Sequence, residues 1–129
     1  DIALEGAANP NFNIVLLGGY VNTKYRFTYG DNAENQLENY YADKLILSVD
    51  GISPEGVLST YYNQEASLVR QMLGRTYISI IAADHTKIGR TAFTKITSLA
   101  PEDTLVSNKT APEDDISSLL SVTGNIVLV

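Results

Sequence analysis

Apolar residues fall along this chain in short runs separated by amphipathic stretches, the rhythm of strands alternating with helices. The runs Phe12–Leu17, Lys44–Val49, Tyr77–Ala82, Phe93–Ile96, Thr104–Val106 and Ile126–Val129 predict strands. The second, third and last are nearly continuous in apolar character, as strands read when both faces of a parallel sheet are covered. Between them, Ala33, Leu37, Tyr40 and Tyr41 recur at helix spacing behind a candidate N-cap at Asp31. Tyr62, Ala66, Val69, Met72 and Leu73 do the same behind Asn63, with Gly74 as the stop. Thr110 and Glu113 have the spacing of a capping box ahead of a stripe made by Ile116, Leu119 and Leu120. Asp1–Ala8 reads as the tail of a helix that starts upstream.

Strand, helix and strand in succession predict an α/β fold: an open, mostly parallel sheet with helices on both faces and right-handed crossovers. The chain of 129 residues is the size of one domain. It opens on Asp1, and the expectation is a single domain, residues 1–129, truncated at its N-terminus. In such sheets ligands bind outside the carboxyl ends of the strands. The polar residues of interest gather at those ends: Gly18-Gly19 after the first predicted strand, Asp50-Gly51 after the second, and Asp84-His85-Thr86-Lys87 after the third.

Composition narrows the chemistry. Cysteine is absent and histidine occurs once, at His85, which excludes disulfides, thiolate metal sites and ordinary zinc ligation. The apolar share is 44% with no run long enough to span a bilayer, and no signal-peptide pattern precedes it. A cytoplasmic protein without membrane contact is expected. Nine basic against fifteen acidic residues give a net charge of −6, whereas duplex DNA demands a basic face, so the chain alone is expected not to grip DNA.

Each candidate also has a structural reading. Gly18-Gly19 permits close backbone approach or merely a sharp turn. Asp50 offers a carboxylate for sugar hydroxyls or proton transfer, and equally serves as a loop cap. Glu65, in the first turn of its helix, favours the helix dipole whatever else it does. Asp84 and Lys87 place an acceptor and a cation together, and Lys87 is suited to neutralise a phosphate. Arg70, Arg75, Arg90 and Lys95 lie in the same third of the chain, which a solvated positive face would also explain. His85 reads as a loop residue, having no sequence partner for triad chemistry. There is no Gly-x-Gly-x-x-Gly, Walker loop or nucleophile elbow. The residues alone specify an α/β domain with a small-molecule crevice and leave the ligand unnamed.

The order of these motifs resembles the DeoR family of bacterial transcriptional regulators. Asn9-Pro10-Asn11-Phe12 through Leu17-Gly18-Gly19-Tyr20, then Gly30 before a helix, are similar to its opening blocks. Ala42-Asp43-Lys44, Asp50-Gly51-Ile52, Gly56 to Thr60 and Glu65-Ala66 follow in the family's order. Asp84-His85-Thr86-Lys87 fits its Asp-x-Ser/Thr-Lys, whereas its later Thr-Asp reads Ser107-Asn108. The resemblance implies the sugar-phosphate isomerase, glucosamine-6-phosphate deaminase and CoA-transferase type of fold. It implies a sensor of a phosphorylated sugar, without cofactor, metal or catalysis, whose DNA is held by an N-terminal helix-turn-helix outside this chain. It also implies a homo-oligomer and a ligand site drawn from Gly18, Gly19, Gly30, Asp50, Gly51, Glu65, Asp84 and Lys87. Two alternatives stand beside it: an isomerase or deaminase on the same fold, and a pure oligomerisation module with Tyr40-Tyr41 and Tyr61-Tyr62 as contact surfaces.

Overall fold

The computed structural model describes residues 2–129. They form two compact units, one ending at Tyr40 and one spanning Tyr41–Val129.

The first unit holds α1 (Ile2–Ala7), a hairpin of β1 (Tyr20–Asn22) and β2 (Phe27–Tyr29), and α2 (Asp31–Leu37). The expected helix tail at the start is α1, with Asp1 outside the described residues. Phe12–Leu17, expected as a strand, is not one. It finds no ladder among the described residues, and Phe12, Val15 and Leu16 lie exposed. An apolar run becomes a strand only when a neighbouring backbone takes up its amides and carbonyls. The hairpin after it aligns Tyr20 with Tyr29, whose rings lie 5.8 Å apart, an aromatic cross-strand pair. The α2 helix is capped by Gly30 (φ 95°) rather than by Asp31, which is its first residue.

The second unit runs through β3 (Ala42–Leu47), β4 (Gly51–Ile52), β5 (Val57–Thr60), α3 (Asn63–Leu73), β6 (Thr76–Ala82) and a 3-10 turn at His85–Lys87. It continues with β7 (Thr94–Ser98), β8 (Thr104–Ser107), α4 (Glu113–Leu120) and β9 (Asn125–Leu128). The expected α/β class is what forms: β3, β6, β8 and β9 make a four-stranded parallel sheet in that order, flanked by helices. A second sheet was not foreseen. β4, β5 and β7 are antiparallel, so the run predicted at Phe93–Ile96 pairs with β5 instead of joining the parallel sheet.

Register explains the core. Leu47, Ile81 and Leu105 stand side by side across the parallel strands. They pack with Leu58 of β5, Ala66 and Val69 of α3, and Ile116 and Leu119 of α4. Each fully buried Leu or Ile stabilises the unit by roughly 1.5–3 kcal/mol relative to exposure. The other face of the same strands is open: Ile46, Ile78 and Val127 are 71%, 44% and 47% exposed. Near-continuous apolar strands here therefore do not have both faces covered by the described residues. The expected capping box at α4 is also absent. Thr110 Oγ1 instead accepts from Asn108 Nδ2 at 3.1 Å, and Pro112 occupies the cap with no side-chain bond. Glu113, Asp114 and Asp115 supply negative charge to the first turn in its place.

Candidate functional site

Because β3 and β6 are parallel neighbours, their carboxyl ends emerge at the same edge of the sheet. An isolated parallel bridge, Ile52 to Ile88, continues this pairing beyond the strands. The Arg90 amide donates to the Ile52 carbonyl at 3.2 Å. The segment after β3 and the loop after β6 are thus held against each other by backbone.

Asp50 and Glu65, ten residues and five residues from Thr60 in sequence, are brought to that residue from opposite directions. Thr60 is fully buried at the end of β5, and its hydroxyl lies 3.0 Å from Asp50 Oδ2 and 2.6 Å from Glu65 Oε2. Asp50 Oδ2 also accepts the Tyr61 amide at 3.1 Å. A hydroxyl has one proton, so it donates to one carboxyl and must accept from the other or face it unsatisfied. Burial pushes the Glu65 carboxyl above its ordinary value. The Thr60 hydrogen bond pulls it partly back, and the negative charge of Asp50 raises it further. With a proton on Glu65, both contacts are satisfied: Glu65 donates to Thr60 and Thr60 donates to Asp50. Ionised, the pair presents two carboxylates on one anchored hydroxyl.

The loop after β6 is fixed differently. Asp84 Oδ1 accepts from the Thr86 amide at 2.8 Å and from the Thr86 hydroxyl. The Thr86 hydroxyl and amide, with smaller electrostatic help from Lys87 and His85, hold the Asp84 carboxyl below its usual range. Lys87 is partly exposed; its backbone amide donates to the Asp84 carbonyl at 2.9 Å, and its ammonium has no hydrogen-bond or ion-pair partner among the described residues. Arg90 ties the two halves together, donating to the Tyr61 hydroxyl at 3.0 Å and to the Thr86 carbonyl at 3.3 Å.

The structure therefore connects Asp50, Glu65, Asp84 and Lys87 through a short chain of contacts. The glycines have packing reasons of their own. A Cβ on Gly51 would meet the Arg90 carbonyl oxygen at 2.7 Å, and one on Gly18 would meet Gln36 Nε2 at 2.8 Å. Gly19 has φ 137°, and a Cβ there would approach the Tyr29 carbonyl oxygen to 2.5 Å. Gly30 serves as the cap of α2. Gly18, Gly19 and Gly30 all belong to the first unit, where the hairpin and α2 account for them. Thr60, Tyr61 and Asn108 are the residues sequence reasoning missed.

A family model described as the DeoR C-terminal sensor domain matches residues 1–109. The chain belongs to that family. A DeoR sensor domain serves regulation, and its relatives are named accordingly. The putative aga operon transcriptional repressor of Escherichia coli O157:H7 is 31% identical over 116 residues, 90% of this chain and 43% of the relative. The HTH-type transcriptional repressor GlcR of Bacillus subtilis is 32% identical over 116 residues, 90% of this chain and 44% of the relative. The HTH-type transcriptional regulator GlpR of Haloferax volcanii is 25% identical over 126 residues, 98% of this chain and 49% of the relative. The DeoR sensor chain thus spans less than half the length of these curated relatives. Among its described residues no helix is long and apolar enough to cross a membrane.

Proposed function

We propose that this DeoR sensor domain binds a phosphorylated sugar at the carboxyl ends of β3 and β6, and that binding controls DNA contact made elsewhere in a longer regulator. The observation that carries the reading is the linked pair of opposite chemistries. Asp50 and Glu65 are acceptors for sugar hydroxyls, and Lys87 is an unpartnered cation for the phosphate. The Tyr61–Arg90 contact sets the distance between the two groups, and Asp84 keeps the loop that carries Lys87 in shape. DNA contact is assigned to a further segment because this chain carries a net charge of −6 and relatives such as GlcR are named HTH-type repressors. A cytoplasmic homo-oligomer follows from the same reading, since proteins that read paired half-sites are ordinarily symmetric.

Calorimetry on the full-length regulator tests it, with hexose 6-phosphates, the same hexoses unphosphorylated, and inorganic phosphate. A sugar phosphate should bind more tightly than either half. At about 100 times its dissociation constant it should stabilise the protein by roughly 2.7 kcal/mol. Equal affinity for sugar and sugar phosphate would remove the role given to Lys87 and the reading with it.

A further inference from the structure

Asn108 stands just after β8 and reaches across to the loop that follows β6. Its Oδ1 accepts the backbone amide of His85 at 2.7 Å. That bond fixes which way the side-chain amide faces, because the reverse orientation would set an NH2 group against an N–H. The Nδ2 group is then 3.0 Å from His85 Nδ1 and 3.1 Å from Thr110 Oγ1, one hydrogen for each. An NH2 group only donates, so His85 Nδ1 must accept, and the ring proton must sit on Nε2. The exposed ring has no other hydrogen-bond partner among the described residues, so Nε2–H is left as a free donor.

We propose that Asn108 is a positioning residue that locks His85 in its Nε2–H tautomer, so that the imidazole meets the effector as a neutral hydrogen-bond donor to a ligand oxygen. The ligand half of this rests on the sugar-phosphate reading. The tautomer half does not. The arrangement divides labour within the loop: Lys87 supplies charge, and His85 supplies a directional donor that carries none. A donor of this kind discriminates among oxygen acceptors by position.

His85 is the only histidine among these 129 residues, so in a regulator with every other histidine replaced a single ring signal reports on it. Long-range 1H–15N spectra of the full-length regulator, enriched at histidine or carrying this histidine alone, should show Nδ1 as the unprotonated nitrogen at about pH 8, where imidazoles are ordinarily neutral. Asn108→Asp keeps an oxygen for the His85 amide and turns an acceptor toward Nδ1, so it should move a proton onto that nitrogen. Asn108→Ala should leave the two tautomers mixed. A wild-type ring protonated at Nδ1, or an unchanged ring in Asn108→Asp, would overturn the assignment. For the ligand half, His85→Phe should weaken the sugar phosphate that binds wild type by roughly three- to tenfold, the loss of one neutral hydrogen bond, and His85→Gln should recover part of it. Unchanged affinity in His85→Phe would overturn that half. If no sugar phosphate bound the wild type, the proposed function and the ligand role of His85 would both fail, while the spectra would still decide the tautomer.

Discussion

Thr60→Val is the sharpest probe of the carboxylate pair. The substitution keeps the β-branched shape that suits β5 and removes only the hydroxyl that Asp50 and Glu65 share. A hydrogen bond to a charged or partly charged group contributes roughly 1.5–3 kcal/mol. The methyl that replaces the hydroxyl in a fully buried position returns up to about 0.8 kcal/mol. The net loss should be about 1–2 kcal/mol, which lowers Tm by roughly 4–8 °C in a domain of this size. Urea unfolding measures the loss. A side-chain carbon titration of Glu65 supplies the second readout, since the Thr60 bond holds its proton affinity down and its removal should raise the titration midpoint. Thr60→Ser separates packing from polarity: it should cost about 1 kcal/mol through the lost methyl and leave the Glu65 titration in place. If Thr60→Val were as stable as wild type and Glu65 titrated as before, the shared hydroxyl would have no energetic standing.

Further predictions address pH, backbone and charge. The Glu65 carboxyl is raised in the folded state, so its contribution to stability is complete below the unfolded carboxylate range and is lost as pH rises through the folded value. Glu65→Gln cannot titrate, so its stability relative to wild type should grow as pH rises above the ordinary glutamate range; a difference that stayed flat or fell in unfolding curves would contradict this. Gly19→Ala should destabilise by roughly 1–3 kcal/mol, because of its positive φ and the nearby Tyr29 carbonyl, whereas Gly124→Ala meets nothing within 4 Å and serves as control. Equal melting temperatures for the two would refute the argument. Lys87→Ala should weaken sugar-phosphate binding by roughly 1.5–3 kcal/mol, with Lys95→Ala on β7 unchanged; calorimetry that found the two alike would return the loop to a purely structural role.

What was legible in the sequence followed from local chemistry. The β6 strand and the Asp84–Lys87 loop could be read because seven neighbouring residues form the strand and the Asp84–Thr86 contact spans only two positions. Thr60 was invisible for the opposite reason: its partners depend on the antiparallel register of Gly51 with Ser59, which no local pattern specifies. The β1–β2 hairpin escaped because its turn lacks the Asn-Gly or Asp-Gly signal. Asn22 Oδ1 instead gathers the Lys24 and Tyr25 amides, and Arg26 takes the left-handed conformation at φ 59°. Phe12–Leu17 misled in the other direction, since hydrophobicity states that a segment wants cover and leaves open what provides it. The pairing of Asn108 with His85 joins residues 23 apart and lies where the sequence departs from its family's Thr-Asp, so neither spacing nor resemblance announced it.

The order β3, β6, β8, β9 has a consequence for how the chain acquires its shape. Among these four strands spatial order follows sequence order without a single reversal, so β6, β8 and β9 each find their earlier neighbour already made. A sheet wound outward from its middle would have to keep an interior slot vacant, or reopen it for a late arrival. Among these four strands each addition falls at an edge of those already made. Each of these later strands can therefore take its register from one that precedes it in the chain. Each step closes only the crossover from the strand before, and the entropy of closure rises slowly with the length of that crossover.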